Sequence, residues 1–268
     1  MPRASPSQLT LCRLVYTDAS ILTALISKDA SNAVACLDRA IIIAGGAGRD
    51  RRHIIQELIA SLQTRLAHSV PPTIQSPSPS PLPDQPLSSS TSAIPRIPAP
   101  SFLAFQATHS KRPFIIPGYA LDWPALSDHP WHSQAYMRSV TGPARMVPVE
   151  VGKHYLLDNW TQSILSWDTF LSSLDSDDEN VFYLAQHNLF LQFPALENDI
   201  IVPDYAYASL PEGKHYRGPP NTEEQLIIHN WLGPKGTVSP AHVDPYNNLY
   251  GTCSKSLIGT RLTAFQCR

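Results

Sequence analysis

Pairable cysteine is scarce in this sequence. Four cysteines, Cys12, Cys36, Cys253 and Cys267, are scattered over 268 residues, and none stands in a C-x-x-C pair. That spacing argues against a zinc ribbon or a small disulfide scaffold and fits a reducing compartment. An excess of one charge is also lacking: the net charge is −2 and the pI near 6.5, so no basic footprint points to direct nucleic-acid binding. The amino-terminal MPRASPSQLTLCRLVYTDAS has no sustained apolar region of a secretory signal, and no run reaches the roughly 20 apolar residues of a bilayer span. The chain is therefore expected to be soluble and intracellular, with no membrane partner. Glycine is sparse, 12 residues against 26 prolines, and the proline excess is local.

What is present falls into regions. Residues 8–68 read as helical. Asp18 can cap a segment with Ile21, Leu22, Leu25 and Ile26 on one face, and Ser31 a second with Val34, Leu37, Ile41 and Ile42, stopped by Gly45 and Gly46. A third segment runs from Asp50 to about Ala67 with Ile54, Ile55, Leu58, Ile59 and Leu62 at helical spacing. Such an array serves either as a docking module or as a packing appendage. The glycine-rich AGGAGRDRR at 44–52 lacks the Lys-Ser/Thr pair of a phosphate loop and reads as a helix stop and restart. Residues 69–101 form a linker: positions 70–100 hold ten prolines and seven serines but only two charges, Asp84 and Arg96.

From Phe102 to Leu249 the texture becomes that of a mostly β domain, with runs PFIIPG, ARMVPVEVG, NVFYLAQH and EQLIIHNWLG between turns, and one helix-like stretch, WTQSILSWDTFLSSL. The fold class is α+β, a helical segment followed by a sandwich or barrel. Within this part lies Ser239-Pro240-Ala241-His242-Val243-Asp244. A histidine and an aspartate two apart on extended chain point the same way, because strand side chains alternate. An imidazole and a carboxylate facing one spot supply two of the three ligands of a 2-His-1-carboxylate Fe(II) site.

The ordered runs PFIIPGYALDWPAL, VPVEVG, FYLAQHNLFLQFPALENDIIVPDY and NWLGPKGTVSPAHVDPYNN resemble the jumonji-C branch of the cupin oxygenases over about residues 111–249. The resemblance implies a double-stranded β-helix, or jelly roll, that binds Fe(II) and 2-oxoglutarate and hydroxylates or demethylates a histone or other protein side chain, in the nucleus, the cytoplasm or both. It implies His242 and Asp244 as metal ligands, Tyr183, Ser239 and Asn248 around the co-substrate, Trp231 lining the pocket and Gln186 on the substrate side. His187, His215 and His229 receive no role.

The last residues depart from that pattern. No histidine occurs among the 24 residues after Asp244, Leu257 stands where the family's co-substrate lysine aligns, with Lys255 nearby, and residues 250–268 diverge. The sequence thus predicts an incomplete cupin with a truncated or aberrant tail, its second histidine and later strands missing. That predicts an oxygenase relative inactive as this chain; the rival reading is a non-catalytic binding module.

Overall fold

A computed structural model describes residues 5–67, 94–152, 160–175, 181–210, 226–234, 237, 242, 244 and 247–252, and the backbone of a strand at 264–267. Residues 69–93 of the linker proposed for 69–101 lie outside these residues, while its last part is tied to the following domain, Ile97 N donating to Ile115 O and Ile115 N to Pro95 O.

Three helices open the chain: α1 (Pro6–Ile26), α2 (Ala30–Ala44) and α3 (Arg51–Ala67). Their starts correct the expected caps. Helix α1 begins at Ser5, whose Oγ accepts from Gln8 N while Gln8 Oε1 accepts from Ser5 N, with Pro6 in the first position. Asp18 lies mid-helix and pairs with Arg51 of α3 at 2.5 Å. In α2 the cap is Asp29, accepting from the amides of Ser31 and Asn32, because a carboxylate two residues upstream reaches both orphan donors. Gly45, at φ +70°, ends α2 as expected. Val34, Leu37, Ile41, Ile55 and Ile59 fill the core among these helices. Against expectation, α1 is long and apolar enough by length and composition to cross a membrane, since Arg13 and Asp18 are its only charges.

Short helices α4 (Phe102–Ala107) and α5 (Gln134–Thr141) precede β1 (Met146–Val151) and β2 (Thr161–Ser166). Then come α6 (Trp167–Ser173), β3 (Phe182–His187), α7 (Leu189–Gln192), β4 (Leu226–Leu232), β5 (Asn247–Tyr250) and β6 (Ala264–Cys267). The strands form one antiparallel sheet in the order β2-β1-β3-β4-β6-β5. Two expectations change here. The stretch WTQSILSWDTFLSSL is not one helix: its first half is β2, where Ile164 and Leu165 pair with Pro148 and Val147, and Ser166 caps α6 by accepting from Thr169 N. An apolar pattern that fits either period is settled by the neighbouring strand. The run PFIIPG makes only a single bridge, Ile115 to Arg96, and its Phe114 and Ile116 pack beside Phe105 and Tyr205 instead.

Alternation gives the sheet a covered face. Val147, Val149, Leu184, Leu226, Ile228 and Leu232 project toward Met137, Trp167, Phe170, Leu189 and Phe193. Each fully buried side chain of this kind stabilises by about 1.5–3 kcal/mol. Beside this core, the buried Asp199 carboxylate accepts from His129 Nδ1, Trp131 Nε1 and the Tyr136 hydroxyl. Burial and that carboxylate push the Tyr136 pKa well above its ordinary value.

The helices dock on the same side. Asp38 of α2 grips Arg145 through two oxygens, at 2.7 Å to Nη2 and 2.9 Å to Nε, and accepts Met146 N at 2.8 Å. Both side chains are essentially sealed from solvent, at 0% and 4% exposure. The guanidinium also donates to Gln192 O and lies 4.4 Å over the Phe193 ring. Gln63 of α3 adds bonds to the Thr141 and Pro143 carbonyls.

Candidate functional site

The other face of the sheet is built by the second phase of the same strands. In β4, Leu226, Ile228, Asn230 and Leu232 are buried while Ile227, His229 and Trp231 alternate with them. Leu184 pairs with Leu232 on the covered face, so Tyr183 turns to the face of Trp231. Glu150 of β1 stands directly opposite Tyr183 and joins that face. Strand β6 carries the parity onward: residue 266 pairs with both Ile227 and Asn248, which puts Asn248 on the Trp231 side as well. Tyr183, Trp231 and Asn248, all anticipated from the sequence, thus share one face of the sheet.

Close approach shapes the floor beneath Tyr183. A Cβ on Gly233 would fall 2.7 Å from Tyr183 Cδ2 and 2.7 Å from Thr237 Oγ1, so only glycine leaves room for the ring. Thr237 in turn donates to Pro234 O at 2.7 Å, folding the chain back after β4. Beyond it, His242 and Asp244 meet: His242 Nε2 lies 3.6 Å from Asp244 Oδ1, with the imidazole half exposed and the carboxylate about one quarter exposed. Asn248 Nδ2 donates to Asp244 Oδ2 at 2.5 Å and fixes the carboxylate. Ser239 lies outside the described residues, as do His215, Lys255 and Leu257.

Other residues on and around this face had no role in the sequence. His229 packs edge-to-face on Trp231, at 5.9 Å between ring centroids, and its buried Nδ1 has no hydrogen-bond partner among the described residues. Burial and the neighbouring His187 push its pKa below the ordinary 6.5, and the Asp244 carboxylate draws it partly back. Glu150 also went unremarked. The V-x-V-x-V alternation of β1 marks which residues face away from the core, so its placement could have been read once the covered face was known. His187 is partly buried and bonded to Gln192 Oε1 at 2.8 Å. Gln186 is exposed at φ +50°, where the β3–β4 register shifts. A non-glycine residue in that region marks a bulge that re-aims neighbouring side chains.

In donor type, His242 and Asp244 fit two positions of an Fe(II) ligand set, and the Asn248 amide donates to the carboxylate and orients it. Among the described residues no third histidine, cysteine or acid converges with them.

A sheet packed by helices on one face and carrying an H-x-D pair with aromatic and amide side chains on the other is one layer of a jelly roll. The profile of the cupin-like domain family matches residues 100–254, and the chain belongs to that family, in its JmjC branch. It is 40% identical over 168 residues to lysine-specific demethylase 8 of Danio rerio, covering 61% of this chain and 38% of the relative. It is 39% identical over 163 residues to Jumonji C domain-containing protein 5 of Drosophila melanogaster (58% of this chain, 38% of the relative), and 37% over 142 residues to JmjC domain-containing protein D of Dictyostelium discoideum (51% and 31%). The chain therefore spans about a third of the length of these relatives.

Proposed function

We propose that this chain carries the entry half of an Fe(II)- and 2-oxoglutarate-dependent JmjC site, with His242 and Asp244 as metal ligands and Tyr183, Ser239 and Asn248 around the co-substrate. The observation that carries this reading is the His242–Asp244–Asn248 cluster next to the face that bears Tyr183 and Trp231. When bound, iron with 2-oxoglutarate supplies dioxygen activation for hydroxylation or N-demethylation. The chain's own residues do the rest. Asn248 holds the carboxylate of Asp244 in place. Tyr183, whose ring has room because residue 233 is glycine, stands opposite Glu150 in the sheet.

Glu150, Trp231 and Gln186 together suit a cationic side chain of a protein, such as a lysine of a histone, with the ammonium on the carboxylate and the stem on the indole. Such a substrate fits a nuclear or cytoplasmic protein. Among the described residues only His242 and Asp244 converge as donors, which hold Fe(II) weakly and fix no facial geometry, so the 268-residue polypeptide by itself is expected to form no succinate from 2-oxoglutarate. Mn(II) titration followed by electron paramagnetic resonance should show weak binding that His242→Ala and Asp244→Ala both abolish. Binding unchanged in both variants would remove the metal assignment. Robust succinate formation by the polypeptide, lost in His242→Ala, would keep the assignment and overturn the inactivity.

A further inference from the structure

Along β4 the site face is marked by Ile227, His229, Trp231 and, just past the strand, Gly233, spaced about 6.6 Å apart. At one end, residue 266 of β6 joins Ile227 to Asn248. At the other, Gly233 leaves room for the Tyr183 ring. His229 and Trp231 thus stand between the levels of two residues placed around the co-substrate.

His229 is the one of these whose hydrogen bonding is incomplete. Its Nδ1 is buried and has no hydrogen-bond partner among the described residues. A polar atom closed off from water in this way destabilises the fold unless a further group completes the bond, and such atoms call for a functional account. The neighbouring groups are already engaged. Asp244 is near enough to act on the imidazole electrostatically, yet its Oδ1 faces His242 Nε2 and its Oδ2 accepts from Asn248. His187 is bonded to Gln192. The edge-to-face contact with Trp231 holds the imidazole in one orientation, so its donor is fixed before any ligand arrives.

We propose that His229 is a co-substrate-binding residue, its Nδ1–H donating to a carboxylate oxygen of 2-oxoglutarate. This rests on the iron and 2-oxoglutarate reading above and adds a residue that reading leaves unused. A dicarboxylate brings oxygens that only accept, and burying them demands donors. On this face the Asn248 amide is already committed to Asp244. A donor stripped of water beforehand loses little on meeting an oxyanion. The cationic side chain of a protein substrate is drawn instead to Glu150, at the Tyr183 end of the face.

The test uses the 268-residue protein with saturating Mn(II). Titration calorimetry should show 2-oxoglutarate binding that His229→Leu weakens about tenfold or more. Mn(II) binding, followed by electron paramagnetic resonance, should be unchanged in that variant. His229→Asn, whose amide nitrogen takes the place of Nδ1, should recover most of the loss. In the isotope-labelled wild type, 2-oxoglutarate should move the His229 Nδ1 resonance, and this measurement decides if His229→Leu loses its circular dichroism. An affinity indifferent to His229→Leu but reduced by Tyr183→Phe would overturn the inference and leave the site reading standing. Equal losses in His229→Leu and His229→Asn would assign the imidazole to packing and overturn it too, as would Mn(II) binding without any 2-oxoglutarate binding. A wild type that binds no Mn(II) would remove the iron reading and this inference with it.

Discussion

The two faces of one sheet differ more than any two segments of the chain. On the covered face Val147, Val149, Leu184 and Leu232 are sealed under α5, α6 and α7, with the buried amide of Asn230 accepting from Leu189 N among them. On the other face Tyr183, Trp231 and Asn248 are partly open, beside the His229 imidazole and an oriented carboxylate. One backbone alternation supplies both. The stability comes from the first face, so the second is free to carry polar groups that a core would not tolerate.

Substitutions should separate the faces by magnitude. The largest effect is expected at the junction of helices and sheet. Asp38→Ala leaves Arg145 charged and buried, and should cost about 3–5 kcal/mol in urea unfolding, while Asp38→Leu with Arg145→Met together should recover much of it. On the covered face, Trp167→Ala removes an indole stacked 5.6 Å from Phe170 and should cost about 3–5 kcal/mol. On the other face, Trp231→Ala should cost about 1 kcal/mol or less. Equal losses at Trp167 and Trp231 would erase the distinction.

The pH dependence sharpens it further. Burial holds the His187 pKa below 6.5, with Gln192 and Asp38 opposing in part. As pH falls below about 6.5 the unfolded chain takes up a proton that the folded chain resists, so stability must decline in that range. Urea midpoints at several pH values between 7.5 and 5.5 should drop in the wild type and drop less in His187→Gln.

Much of this was legible from residues alone. The alternation of MVPVEV and the stop at Gly45 follow from local sequence pattern. The first half of WTQSILSWDTFLSSL was misread because Ile164, Leu165 and Trp167 satisfy a helical face as well as a strand, and only pairing with β1 decides. Asp18 was misread as a cap because a polar residue before an apolar run fits that role. The stronger box at Ser5 and Gln8 lies thirteen residues earlier. In β4 both phases are apolar, so LIIHNWL does not say which face the helices cover. His229 has no pattern to announce it. The Asp38–Arg145 pair spans 107 positions and leaves no local trace.

That pair also binds the two parts of the chain as a matter of descent. Either residue replaced alone strands its partner's charge in a site closed to water. A lineage can therefore lose the bridge only by exchanging both positions at nearly the same time. The opening helices and the sheet are in this sense inherited together, and a swap of either part between relatives would succeed only where both sides of the ion pair travel with it.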